Sequence, residues 1–189
     1  MKLYIKNMVC PRCIAAVARM LDELDLAPQN VILGEAETKI EASPEQLILL
    51  RERLKEQGFE LLDDSKDLVT ERIKSVIINH IHHSDGGAVV FSELLASELH
   101  KDYSGLSKLF SAHEGITIEH FIILQKTEKV KELLQYNQFT LSEIADKLGY
   151  SSVAHLSAQF RKVTGITPTE FRKQGINLRK PLDAVSKKL

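Results

Sequence analysis

The sequence predicts an α+β protein built in two parts. A βαββαβ unit over residues 1–63 leads through a connecting helix (64–83) to an all-α unit over 84–175, and a basic tail (176–189) follows. Three observations predict this. Short apolar runs near residues 3–5, 31–33, 38–40 and 59–62 alternate with amphipathic helical stretches. Beyond residue 89 only helical periodicity remains. A helix, tight turn and second helix are written twice in that part, at 89–115 and 140–172.

The elements follow in order. Leu3, Tyr4 and Ile5 make a first strand, and Ile14 to Leu24 an amphipathic helix with Val17, Leu21 and Leu24 inward. Val31–Leu33 and Thr38–Ile40 make two strands around a turn at Gly34–Glu37. Ser43 caps the next helix, with Pro44 at its first position and Gln46 at the capping-box position. That helix carries Leu47, Leu50 and Leu54 up to Gly58, and Phe59–Leu62 is the last strand. The order βαββαβ is ferredoxin-like. A helix over Leu68–His83 joins this part to the next, with Asp63, Asp64 and Ser65 marking one boundary and Gly86–Gly87 another.

Both cysteines of the chain, Cys10 and Cys13, lie in NMVCPRC between the first strand and helix. A C-x-x-C pair in a reducing compartment reads as metal-binding or redox rather than as a structural disulfide. Thiolate sulfur is a soft donor that favours Cu(I), and Zn(II) becomes a candidate if further ligands join. Cys13 stands at a helix N-terminus, where the dipole lowers a thiol's pKa, and Arg12 adds positive charge. Three readings stay open for the pair: a soft-metal site, a disulfide switch, and a retained scaffold with idle thiols. Met8 is either a third soft ligand or packing under the loop. His80, His82 and His83 are candidate extra ligands, although histidines at a helix C-terminus are favoured by the dipole alone. With Met8, Cys10, Cys13, Gly58 and Phe59 in place, residues 1–63 resemble the heavy-metal-associated (HMA) domain of copper chaperones and P-type metal ATPases. The chain departs from that pattern at Asn7, where the family has glycine, and at Val9, where it has a hydroxyl residue.

Residues 140–172 carry the densest pattern. Leu141, Ile144, Ala145 and Leu148 form one apolar stripe, Gly149 ends that helix, and Ser151 or Ser152 caps the next. The second helix turns Val153, Leu156, Phe160 and Val163 inward and His155, Ser157, Ala158, Gln159, Arg161 and Lys162 outward. The upstream motif has Leu94, Leu95, Ala96 and Leu99 in its first helix and Leu106, Leu109 and Phe110 inward in its second, which begins near Asp102. Tyr103, Ser104, Ser107 and Lys108 face outward there, and His100 stands where a turn glycine is common. A helix over 117–136 joins the motifs, with Phe121, Leu124, Val130, Leu133 and Leu134 apolar and Lys126, Glu128, Lys129, Lys131 and Glu132 on a solvated face.

Thr140, Ile144, Ala145, Gly149, Tyr150, Ser152, Leu156, Ser157, Phe160, Arg161, Lys162, Gly165, Thr167, Pro168, Phe171 and Arg172 together resemble the second helix-turn-helix of the AraC/XylS transcription regulators. That resemblance implies a sequence-specific double-stranded DNA reader with two recognition helices in successive major grooves. Lys108, Arg161 and Lys162 would bind phosphates. Tyr103, Ser104, Ser107, His155, Ser157 and Gln159 would read base edges, and Val153 and Ala158 would touch thymine methyls.

Charge agrees once divided. Residues 115–189 carry twelve Lys and Arg against seven Asp and Glu, so the basic part is the one expected to meet phosphate. The whole chain, at a formal net charge of −1, is unsuited to tight non-specific nucleic-acid binding. No run approaches the roughly 20 apolar residues of a membrane span, and MKLYIKNMVC is too polar for a secretion signal, so a cytoplasmic location is expected. No Ser/His/Asp or paired-carboxylate constellation stands out, so an enzyme is not expected. The expected function is transcription regulation controlled by soft metal or thiol state at Cys10 and Cys13. The alternative is a metal-trafficking protein that exchanges copper with partners. A homodimer and a metal chaperone are the candidate protein partners. Residues 176–189, with Arg179, Lys180, Lys187 and Lys188, are expected to be a frayed, solvated tail.

Overall fold

A computed structural model describes residues 1–62, 65–84, 89–174 and 179–185. The chain divides into two compact units, Met1–Asn79 and His80–Leu189. The boundaries expected around Asp63, Asp64 and Gly86–Gly87, and the tail cations Lys187 and Lys188, lie outside the described residues.

The first unit runs β1 (Lys2–Lys6), α1 (Pro11–Glu23), β2 (Pro28–Ile32), β3 (Glu35–Thr38), α2 (Pro44–Glu56), β4 (Glu60–Leu62) and α3 (Ser65–Ile78). Its sheet is antiparallel in the order β2-β3-β1-β4. Strand alternation turns Leu3 and Ile5 of central β1 into a core shared with Val17 and Leu21 of α1 and Leu50 and Leu54 of α2. Ser43 closes a full capping box with Gln46, as its sequence signature implies. The β2–β3 turn is tighter than expected. Gly34 takes it at φ 81°, and β3 starts at once with Glu35 rather than at Thr38. The charged residues of this strand have partners: Lys2 Nζ lies 3.1 Å from Glu35 and 3.3 Å from Glu37.

Helix α3, expected as part of the connecting helix, falls within the first compact unit. Arg72 Nη1 donates to Glu35 Oε2, so this nearly buried carboxylate is held from both sides. A Cβ at Gly34 would come within 2.6 Å of Ser75 Oγ, so the turn needs glycine for space as well as for φ.

The second unit begins at His80, inside a π-helical turn that spans Asn79–His83. It continues through α4 (Phe91–Leu99), α5 (Tyr103–Glu114), α6 (Ile118–Tyr136), α7 (Leu141–Lys147), α8 (Val153–Thr164) and α9 (Pro168–Gln174). The same building block occurs twice. Leu106, Phe110, Gly115 and Thr117 stand in register with Leu156, Phe160, Gly165 and Thr167, and α5 and α8 share one burial pattern over residues 103–110 and 153–160. Phe110 meets Phe121 edge-on at 5.7 Å between ring centroids, and Phe160 meets Phe171 the same way at 5.7 Å. The second core gathers Val130, Leu133 and Leu134 of α6, Ile144 and Ala145 of α7, Leu148, and Leu156, Phe160 and Phe171.

Two expectations about the polar face of α6 are corrected. Gln125, Thr127, Glu128 and Lys131 are buried there, and Lys126, Lys129 and Glu132 are half-buried. The cover is residues 179–185, expected to be frayed but laid along α6. Arg179 donates to Glu132 at 2.8 Å, the Lys180 N–H to Glu128 at 2.9 Å, and Gln125 Nε2 to the Leu182 carbonyl at 2.9 Å. Val185 buries its side chain at the end of this strap. These three bonds pair charged and backbone groups of the strap with polar groups of α6, which burial favours.

Candidate nucleic-acid interface

The second motif is built by local signals. Thr140 opens α7 with a capping box, its Oγ1 accepting from the Glu143 N–H while Glu143 accepts from the Thr140 N–H at 2.7 Å. Gly149 turns the chain at φ 66°, and Ser152, not Ser151, is the N-cap of α8, accepting from His155 N–H at 3.1 Å. On α8 the exposed positions are Ala154, His155, Ala158, Arg161 and Lys162. Val153, Ser157 and Gln159 are half-buried on the shoulders. Ala154 was not anticipated. The signal that finds it is the repeat, because it stands in register with exposed Ser104.

The first motif presents less chemistry. Asp102 caps α5 by accepting from Gly105 N–H at 2.6 Å, and Ser104, Gly105 and Lys108 are exposed. Ser107 is half-buried, as is Tyr103, whose hydroxyl donates to Glu119. Burial and that bond push the tyrosine's pKa up, so it stays a neutral donor, committed within the fold. His100 takes the turn in the left-handed region at φ 51°, where glycine would be unstrained. Arg172 at the end of the motif is structural here: it donates to the Phe139 carbonyl at 2.9 Å.

One side chain links the motifs. Lys126 of α6 donates to the Leu148 carbonyl at the end of α7 at 2.6 Å. Its ammonium lies 5.9 Å from the Phe91 ring centre at the head of α4 and 5.2 Å from that of Tyr150 in the turn before α8. Burial pulls its pKa down from the ordinary lysine value.

The cysteine loop is a second, separate candidate. Cys10 caps α1 in extended geometry, Pro11 follows, and the two sulfurs are 3.2 Å apart and half-buried as free thiols. Asn7 explains the departure from glycine: it holds φ 71°, which asparagine tolerates better than most, and its Nδ2 donates to the Gly58 carbonyl at 2.9 Å. Met8 is buried in the core beneath the loop. The acidic thiol is Cys10 rather than Cys13. Partial burial opposes its ionisation, but the Cys13 thiol, the Cys13 and Arg12 N–H groups and the Arg12 charge outweigh it. The Cys13 thiol is pushed up by burial and by the sulfur of Cys10. Two soft sulfurs at this spacing suit a soft cation. Among the described residues no further His, Cys, Asp or Glu gathers with them into a metal-sized group, so a closed tetrahedral zinc site is not formed by these side chains. His82, weighed as a ligand, shares a hydrogen bond with Gln125 at 3.0 Å inside the second unit, and burial pushes its pKa down to about 4.

Comparison with known proteins finds one family match, to a family described as "Helix-turn-helix domain", over residues 95–174. Among relatives, the "Uncharacterized HTH-type transcriptional regulator YtdP" of Bacillus subtilis is 29% identical over 61% of this chain and 16% of its own length. The "Probable transcriptional regulator LumQ" of Photobacterium leiognathi is 29% identical over 59% of this chain and 44% of its own. The chain thus spans less than half the length of these relatives. Among solved structures, the C-terminal domain of AraT, a response regulator from Geobacillus stearothermophilus, is 25% identical with a TM-score of 0.49, covering 56% of this chain and 84% of that one. Among the described residues no helix is long and apolar enough to cross a membrane.

Proposed function

We propose, starting from the helix-turn-helix match over residues 95–174, that the chain is a sequence-specific DNA-binding transcription regulator of the AraC type. The observation that carries this reading is the duplicated motif. Two helices, α5 and α8, with the same burial pattern over residues 103–110 and 153–160, each expose small or polar residues and at least one cation after a capped N-terminus. Such helices fit the major groove, with Lys108, Arg161 and Lys162 on phosphates and Ser104, Ala154, His155 and Ala158 toward base edges. Val153, Ser157, Gln159, Tyr103 and Ser107 border that face.

Residues 1–62 we read as a ferredoxin-like, HMA-like unit that senses Cu(I) or thiol state through Cys10 and Cys13. Support comes from the sheet order β2-β3-β1-β4 and from two thiols 3.2 Å apart at a helix N-terminus. Ligation of a soft cation, or loss of two electrons and two protons to an external disulfide, would change the charge and shape of the loop and so bias DNA affinity.

The test is a genome-wide DNA-binding selection with the full chain, with and without Cu(I) and reductant, repeated for Cys10→Ser/Cys13→Ser. Enrichment of one site, with affinity that shifts for the parent and not for the double variant, is the expected result. A parent that enriches no sequence removes the DNA reading. Identical responses of the two proteins remove the control by sulfur, and Cu(I) transfer to a chaperone without effect on DNA would favour trafficking instead.

A further inference from the structure

Resting on the reading of α8 as a base-reading helix, we infer that Tyr150 is a positioning residue for base recognition. It holds the Gln159 amide so that α8 offers a hydrogen-bond donor, and the base edge it selects is one that only accepts.

Tyr150 lies in the turn before α8, half-buried, with its ring fixed on two sides. The Lys126 ammonium is 5.2 Å from its centre, and the His155 ring meets it edge-on at 5.3 Å and 88°. Its hydroxyl donates to Gln159 Oε1 at 2.7 Å. His155 and Gln159 are four residues apart on α8 and so share one side of the helix. Tyr150 therefore touches both polar residues of that row, and Ser151 Oγ, 3.1 Å from His155 Nδ1, fixes the imidazole further. The row is ordered before any DNA arrives, which lowers the entropy lost on binding.

The consequence for Gln159 is chemical. Its carbonyl oxygen already accepts from a tyrosine, whereas among the described residues the amide Nε2–H₂ is the end with no partner. Adenine in the major groove is read by glutamine with both ends at once, Oε1 accepting from N6 and Nε2 donating to N7. With one lone pair of Oε1 already taken by Tyr150, that pairing has only the second lone pair left, in an orientation the tyrosine fixes. Guanine offers N7 and O6, both acceptors, and thymine offers O4. A glutamine fixed by Tyr150 therefore favours guanine or thymine over adenine at the base it meets.

A randomised-site selection with the full-length parent, Tyr150→Phe and Gln159→Ala tests this. Tyr150→Phe keeps the ring and its contacts with Lys126 and His155 and removes only the hydroxyl, and thermal melting checks that both variants fold. In the parent, one position should prefer guanine or thymine over adenine by about tenfold. Gln159→Ala should flatten that position alone, and Tyr150→Phe should move it toward adenine with the rest of the site unchanged. A merely structural tyrosine would weaken binding to every sequence equally. A Tyr150→Phe profile identical to the parent's, a parent that prefers adenine at the Gln159-dependent position, or a Gln159→Ala profile with no flattened position each overturns the inference while leaving DNA recognition intact. A parent with no sequence preference at all fails at the earlier step, the DNA reading itself.

Discussion

Replacing Lys126 with methionine keeps the aliphatic stem and removes a cation that touches both motifs. The ammonium's hydrogen bond to the Leu148 carbonyl, at 2.6 Å, is charge-assisted and of a kind that contributes about 1.5–3 kcal/mol. Its approaches to Phe91 at 5.9 Å and Tyr150 at 5.2 Å add roughly 0.5–1 kcal/mol each. Against these stands the burial that lowers its pKa, relief of which offsets part of that sum. The net loss expected for Lys126→Met is about 2 kcal/mol, read as a lower urea midpoint at unchanged m. DNA binding supplies the second readout. A rigid link keeps the second recognition helix at high effective concentration once the first has bound. Affinity for the tandem site should therefore fall by about tenfold, while affinity for either half-site alone stays within about twofold. A stability change under about 0.5 kcal/mol, or equal losses on tandem and single half-sites, would refute the reasoning.

Further outcomes follow from single groups. His82 is held neutral in the fold with a pKa pushed down to about 4 from the ordinary 6.5, so between those values the unfolded chain binds more protons. Stability of the second unit should be full above pH 6.5 and fall toward pH 4 by about 3 kcal/mol, a slope that denaturation of His82→Gln should lack. Lys162→Ala should weaken binding to all sequences alike and reduce the salt slope by about one, as measured by titration at several salt concentrations. His100→Gly should raise stability by about 0.5–1 kcal/mol in the same denaturation assay, because the residue sits at φ 51° and its side chain caps nothing in α4.

Much of both units was legible because local signals carried it. The capping box at Ser43, the start of α5 next to Asp102 and the turn glycine at position 149 stand where the sequence places them. What stayed hidden depended on contacts far along the chain. The charged row of α6 looks like a solvated face, and nothing local says that residues 179–185 return to cover it with Arg179, Lys180 and the Leu182 carbonyl. The acidity of Cys10 rather than Cys13 depends on which sulfur receives the free N–H groups of the α1 terminus, and spacing alone does not decide that. At the surface proposed to face DNA the outward cations were legible from periodicity, but the commitment of Tyr103 to Glu119 and of Gln159 to Tyr150 needed coordinates.

The central claim is that α5 and α8 read DNA together. Chemical footprinting of the full chain on its selected site tests it most directly. Protection of two major-groove segments about 10 base pairs apart on one face of the duplex, each lost separately on changing Lys108 or Arg161 and Lys162 to alanine, is the result expected. Protection of a single groove, or a footprint that random DNA reproduces at the same protein concentration, would contradict it.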